Sequence, residues 1–213
     1  MTGRLANKKV LLLGSMVEGA INKATTALLD RRREPAIAVL HGDDAIDASE
    51  VAIEEDCLKV LALHQPVAID LRYIVAALKV NNELERMGDL AGNIAERALE
   101  LVDHPPVALP RDFRTMVETV RTMVRDSLEA LVKSDVAIAR RILAADETVD
   151  RVHREMFREM QALIRKDPAN LEAPIKVLSV SRYLERIADQ CTNIAEDIVF
   201  LVEGEIVRHR RRR

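Results

Sequence analysis

Apolar residues recur every three to four positions along most of the chain, which is the spacing of an amphipathic α-helix. Prolines interrupt this pattern, because a proline inside a helix removes a backbone hydrogen bond. Pro35 and Pro66 mark the first two interruptions. The pattern predicts an all-α protein without strands. Its six predicted helices cover about 7–33, 36–63, 66–102, 111–133, 136–165 and 170–207.

The strongest interruption is the segment DHPPVALP, residues 103–110, at the midpoint of the chain. Its three prolines predict a linker between two groups of three helices. We therefore expect two tandem three-helix bundles, with residues 1–104 in the first and residues 105–213 in the second.

An internal repeat supports this division. LERMGDLAGNIAE begins at Leu84 and LERIADQCTNIAE begins at Leu184, with eight of thirteen positions identical. A weaker pair, DDAID from Asp43 and DETVD from Asp146, keeps the same order and a similar spacing. Two matches in register indicate an internal duplication.

Acidic residues recur beside the apolar stripes of these repeats. At 100° per residue, Glu85 and Asp89 stand away from the stripe that contains Leu84, Ala91 and Ile94. Each half has two acidic pairs spaced four residues apart on neighbouring helices, where like charges repel. Such oxygen-rich clusters suit hard cations and oxygen-tolerant transition metals. The candidate ligands are Asp43, Asp47, Glu85 and Asp89 in the first half, and Asp146, Asp150, Glu185 and Asp189 in the second.

An alternative interpretation is a solvated acidic face that arginines such as Arg86 and Arg186 neutralise. It explains the charge but not the fourfold recurrence of the pairs. Because the acids lie off the core stripe, a bound metal would be at the bundle surface. His153 is the one histidine beside an acidic edge, and a single histidine there is more often polar surface.

Composition narrows the classes of function. Aromatic residues make up 2% of the chain, so the predicted core is aliphatic, as in helical bundles. The net charge is −3, which gives no general bias toward nucleic acid. We find no nucleophile–base arrangement, no phosphate-binding loop and no platform of stacking aromatics, so we expect neither an enzyme nor a nucleic-acid-binding protein.

The same sequence indicates a cytoplasmic protein. No apolar run approaches the ~20 residues of a membrane span. Cys57 and Cys191 have no CxxC partner and fall near apolar helix faces, which suits buried thiols in a reducing compartment. The basic run of residues 208–213 is either a solvated tail or a contact for an anionic partner such as a lipid surface.

Four motifs resemble the PhoU family, the accessory regulators of bacterial phosphate uptake. They are QPVAIDLR from Gln65, the two LER repeats, and LVEGEIVRH from Leu201. The resemblance implies two three-helix bundles and multinuclear clusters of iron or zinc, other divalent cations being compatible too. It places the family's acidic motif on the eight candidate ligands given above.

The resemblance also implies a role without catalysis. Such proteins connect the ATP-binding subunit of the phosphate ABC transporter to a sensor histidine kinase, and so repress the phosphate-starvation response. It implies a homodimer and membrane association through partners. The alternative function is a carboxylate-bridged metalloenzyme; a weaker third is a membrane-surface protein bound through its arginine tail.

The sequence departs from the family pattern in three respects. Many relatives have histidine where Leu90 and Gln190 stand, and the second repeat has Ala188 in place of Gly88. The DLR block has no recognisable second copy. The missing histidines bear on the affinity for metal and on which metal would bind.

Overall fold

A computed structural model describes residues 2–204, with side chains from Lys8 onward. Helices cover most of this range, and none of the described residues forms a strand, as predicted. The helices are α1 Thr2–Asp30, α2 Arg33–Leu40, α3 Asp43–His64, α4 Ile69–Asp103, α5 Phe113–Lys133, α6 Val136–Lys166 and α7 Glu172–Glu203, with a short 3-10 turn at Pro168–Asn170 before α7.

These helices form two three-helix bundles, which confirms the predicted fold class. In the first bundle α1, the α2–α3 pair and α4 pack together, and in the second α5, α6 and α7 do so. α4 and α7 also pack against each other, so the bundles share a face. The residues predicted for the core, Leu84, Ala91 and Ile94, are buried, and so are Cys57 and Cys191.

The predicted second helix, 36–63, is wrong as a single element, because the chain bends at His41 and Gly42. Glycine has a low helix propensity, and the acidic Asp43 and Asp44 favour the start of a new helix. The equivalent of Gly42 in the second bundle is Ala145, and there α6 continues without a break.

Pro35 does not separate the first two helices as predicted. It lies in the first turn of α2, where its missing N–H costs nothing. The break comes earlier, at Arg31, whose φ of 54° is left-handed. Its guanidinium Nη2 donates to the carbonyls of Val102 and His104, and so caps the end of α4.

The proline-rich linker is non-helical, since α4 ends at Asp103 and α5 begins at Phe113. The division of the chain into one unit of residues 1–104 and a second of residues 105–213 stays a prediction. The arginine run 208–213 and the end of the last predicted helix lie outside the described residues. Within the described part of the chain, no helix is both long and apolar enough to cross a membrane.

Candidate metal centre

Three of the predicted ligands of the first bundle converge. Asp43 and Asp47 lie on α3 and Asp89 lies on α4, and one carboxylate oxygen from each lies within 4.8 Å of the other two. Asp43 is half-buried, and the other two are exposed. The site therefore faces solvent at the edge of the bundle, as predicted for acids that stand off the core stripe.

Close packing of α3 on α4 produces this convergence. Gly88 is buried, and a Cβ added there would lie 3.0 Å from Ile46 Cγ2. Ile46 stands between Asp43 and Asp47 in sequence, and Gly88 precedes Asp89. The absence of a side chain at Gly88 thus lets the two acidic edges approach. In the second bundle Ile46 is replaced by the smaller Val149 and Gly88 by the larger Ala188. The two changes in side-chain volume compensate each other.

Neighbouring carboxylates of the first bundle disfavour the ionisation of Asp43 and Glu85. Burial raises the pKa of Asp43, and the charges of Asp47 and Asp89 raise it further. Burial also raises the pKa of Glu85, and Asp89, Glu50 and Asp47 add to the effect. Glu85 therefore shares the electrostatic field of the triad of Asp43, Asp47 and Asp89. A cation would relieve this repulsion.

Glu50 is a further acid beside the triad, and it is not among the ligands predicted from the sequence. Burial, Glu54 and Asp47 raise its pKa. The Asn81 amide Nδ2 donates to both the Glu50 carboxylate, at 3.1 Å, and the Glu50 backbone carbonyl, at 3.0 Å. Its place on the acidic edge of α3 was visible in the sequence, but its orientation by Asn81 depends on packing.

Three of the four acids of the second bundle, Asp150, Glu185 and Asp189, interact with arginines. Burial raises the pKa of Asp189, and Asp150 raises it further, while Arg182 and Arg186 oppose the shift. The same two arginines act on Glu185, whose pKa is also raised, first by burial. Asp150 lies 3.7 Å from Arg154.

Asp146 is half-buried in the second bundle, with its Oδ1 away from solvent, and its charge opposes ionisation of the Cys191 thiol. Burial raises the pKa of that thiol to about 12. Within the described residues no triad of the second bundle reaches the spacing seen in the first. The arginine-neutralised interpretation thus suits the second bundle better than the first.

His153 is part of a different contact. Its Nδ1 lies 3.0 Å from Ser181 Oγ, and Ser181 donates its own proton to the Leu178 carbonyl at 2.8 Å. The hydroxyl is then the acceptor, so Nδ1 carries the imidazole proton. Burial and the charge of Arg182 lower the pKa of His153, which favours the neutral ring.

Chemically, the first site offers oxygen ligands, negative charge and access to solvent. These properties match hard divalent cations and iron or zinc bound through carboxylates. Asp43, Asp47 and Asp89 would hold such an ion, with Glu85 and Glu50 beside them.

Comparisons with known proteins agree with this architecture. The family described as "PhoU domain" matches residues 10–98 and again residues 113–198, one match for each bundle. A PhoU homolog of the phosphate-specific transport system from Aquifex aeolicus is 41% identical over 202 residues, covering 95% of this chain and 91% of the relative. The Escherichia coli accessory protein PhoU is 33% identical, covering 94% and 83%.

Solved structures extend the agreement to three dimensions. The crystal structure of PhoU from Pseudomonas aeruginosa superposes with a TM-score of 0.91 at 34% identity, covering 95% of this chain and 97% of that one. PhoU from Streptococcus pneumoniae gives 0.89 at 29% identity, covering 96% and 97%. On these matches, which span nearly the whole sequence and both bundles, the chain belongs to the PhoU family.

Proposed function

We propose that this protein is an accessory regulator of phosphate uptake. In this proposal it binds the ATP-binding subunit of the phosphate ABC transporter and a sensor histidine kinase in the cytoplasm, and represses the phosphate-starvation response when phosphate is sufficient. The observation that carries the proposal is the match, over 95% of the chain, to a relative named for the phosphate-specific transport system.

The test is a pull-down with the tagged full-length chain from phosphate-replete and phosphate-starved cells. We expect the transporter ATPase and a histidine kinase to co-purify from replete cells and to be depleted after starvation. A helical protein of similar size and charge serves as the control bait. The proposal would be contradicted if neither partner were recovered above the control from either replete or starved cells.

A metal-bound form is part of the proposal. The triad of Asp43, Asp47 and Asp89 meets the spacing for one ion, and the neighbouring Glu85 and Glu50 would supply further carboxylates to a multinuclear cluster of iron, zinc or another divalent cation. The second site would use Asp146, Asp150, Glu185 and Asp189. Its arginines lead us to expect weaker binding there.

The metal sites can be tested by removing one pair of acids. The double variant Glu85→Ala with Asp89→Ala should lower metal content at the first site and leave the second largely intact. Metal should raise the melting temperature of the wild type more than that of the variant, by mass action. The matched control replaces Glu155 and Glu159, an acidic pair with the same spacing on α6. Equal metal content in wild type and variant would contradict this site.

The triad also favours one alternative, a carboxylate-bridged metalloenzyme with metal-activated water. Turnover assays distinguish the two functions. Metal-loaded protein that hydrolyses or oxidises model substrates faster than the free metal would support the enzyme, whereas a regulator should show no excess. We also propose a homodimer, which light scattering at several protein concentrations would test.

A further inference from the structure

The helix α3 has two apolar faces. One face packs into the first bundle through the buried Ile46, Ile53 and Cys57. The other face points to solvent, and its two largest members, Val51 and Leu58, are 51% and 53% exposed. Residues of this second face are spaced alternately three and four apart, which is the spacing by which one helix packs along another. We call it the outer seam of α3, and its members are Ala48, Val51, Glu55, Leu58 and Ala62.

The repeat places α6 in the corresponding position of the second bundle. In the register of the acidic repeat, each residue of α3 corresponds to the residue of α6 that lies 103 positions later. The buried faces agree in this register, since Met156 is buried where Ile53 is. The residues that correspond to the outer seam of α3 are also all exposed. They form the outer seam of α6, which consists of Arg151, Arg154, Arg158, Gln161 and Arg165.

The two helices carry opposite charge. α3 has seven acidic residues and one lysine, whereas α6 has seven basic residues and five acidic ones. Glu54 and Glu55 are exposed beside the aliphatic residues of the α3 seam. On α6, Arg158 and Arg165 make no ion pair within the described part of the chain. Phe157 is 49% exposed beside these arginines, so the α6 seam also offers apolar surface.

The two seams do not meet within one chain, since both are exposed. α3 packs on α1 and α4, whereas α6 packs on α5 and α7. Contact between the α3 seams of two copies would bring acidic residues together, and contact between two α6 seams would bring arginines together. Like charges across an interface disfavour association. Charge complementarity therefore favours contact between an α3 seam and an α6 seam.

We propose that the outer seam of α3 binds the outer seam of α6 in a second copy of this chain. In this contact the aliphatic stems of the arginines cover Val51 and Leu58, while their guanidinium groups pair with Glu54 and Glu55. A lipid surface or a nucleic acid would engage the arginines but not the acidic α3 seam. The inference rests on the association of copies proposed above, and not on the regulatory role or the metal sites.

The test is sedimentation velocity of the full chain over a range of protein concentrations, at low and at high salt. The wild type should self-associate, and more weakly at high salt, because salt screens the charge pairs. Leu58→Arg places a cation on the α3 seam, and Arg158→Glu with Arg165→Glu reverses charges on the α6 seam. Each variant should raise the dissociation constant at least about tenfold, since it replaces apolar contact or attraction with repulsion. None of these three residues is a candidate metal ligand.

A mixture of the two variants distinguishes this contact from any other. Neither variant has both seams intact, so neither should associate with itself. In the mixture, the intact α6 seam of the Leu58→Arg variant can bind the intact α3 seam of the arginine variant. With one variant fluorescently labelled, sedimentation should therefore detect a 1:1 complex in the mixture only.

Leu12→Arg on α1, and Arg114→Glu with Arg125→Glu on α5, are the matched controls, because these residues are also exposed. They should associate like the wild type, and circular dichroism shows that each variant is folded. The proposal is overturned if the wild type stays monomeric, in which case a different protein is the partner of the α3 seam. It is equally overturned if the seam variants associate like the wild type, which would leave the homodimer standing with another interface, or if the mixture forms no complex.

Discussion

An exchange at position 182 contributes to the different electrostatics of the two acidic sites. Position 182 is an arginine that opposes the raised pKa values of Glu185 and Asp189. The equivalent position of the first repeat, 100 residues earlier, is the neutral and exposed Asn82. The two repeats conserve their acids but surround them differently, so they should differ in affinity for cations.

Arg182→Asn should therefore raise the affinity of the second site for a divalent cation severalfold, and at most about tenfold, since the guanidinium is exposed and screened. The reciprocal Asn82→Arg should weaken the first site. Titration calorimetry with Zn²⁺ or Mn²⁺ measures both changes. Arg165→Asn, far along α6, is the control. Unchanged affinity in both variants would show that these positions do not act on bound metal.

His153 should be a neutral histidine with a measurable effect on acid stability. Its lowered pKa means that the unfolded chain binds this proton more readily than the folded one. The neutral His153 ring therefore makes its full contribution to the unfolding free energy above the ordinary pKa of 6.5. That contribution is lost as the pH falls through the lower pKa of the folded protein. His153→Gln should flatten the decline in unfolding free energy over that window. Histidine ring signals followed by NMR across the pH range would reveal the shift, and a midpoint at or above 6.5 would contradict it.

At the scale of elements, hydrophobic periodicity located most of the helices because each buries one continuous stripe. The break at Gly42 was missed and the break at Arg31 was placed too late, at Pro35, for the same reason. Periodicity reports burial, which continues across a short bend, whereas the bend depends on local backbone preferences. Pro35 was misleading because the first turn of a helix tolerates proline.

The acidic site, too, was predictable from the sequence only in part. The four-residue spacing of Asp43 and Asp47 was readable from sequence, since it follows from helix geometry alone. That Asp89 joins them depends on the close approach of α4 to α3 at Gly88 and Ile46, and Glu85 is not among the acids at this spacing. The position of Arg182, three residues before Glu185 on the same helix, could by contrast be read from the sequence.

The repeat helices α4 and α7 should each depend on their leading leucine. Leu84 and Leu184 are fully buried, so replacing either with alanine should cost roughly 2–5 kcal/mol of unfolding free energy. Leu12→Ala, at an exposed position of α1, should change it by less than about 0.5 kcal/mol. Urea denaturation measures all three. A change below 0.5 kcal/mol for both buried leucines would show that the core is not formed by this stripe.

At the scale of the whole molecule, α4 and α7 connect the bundles through polar contacts as well as packing. Lys79 Nζ lies 3.1 Å from Asp197 Oδ1 and 5.9 Å from the centroid of the Phe200 ring. Asn193 Nδ2 donates to Glu83 Oε1 at 3.3 Å. Asp197 is only 3% exposed, so its charge is stabilised chiefly by protein groups.

This interface should make the two bundles unfold together. Lys79→Met should destabilise the chain by about 1–3 kcal/mol, because it removes the positive charge beside the buried Asp197 carboxylate. The loss is limited to this range because Lys79 itself is partly exposed. Adding Asp197→Leu should recover much of that loss, since the desolvated charge is then gone. A double-mutant cycle in urea isolates the interaction energy of the Lys79–Asp197 pair across the interface.

The exposed pair Lys133 and Glu129 within α5 provides the comparison, and its coupling should be smaller than that of the buried Lys79–Asp197 pair. Circular dichroism and a fluorescent label on each bundle should report one shared transition for the wild type. Two separated transitions, together with additive effects of the Lys79 and Asp197 changes, would mean that residues 1–104 and 105–213 fold independently. A single transition with positive coupling would show that the α4–α7 contact links the stabilities of the two bundles. Binding at one bundle would then alter the stability of the other.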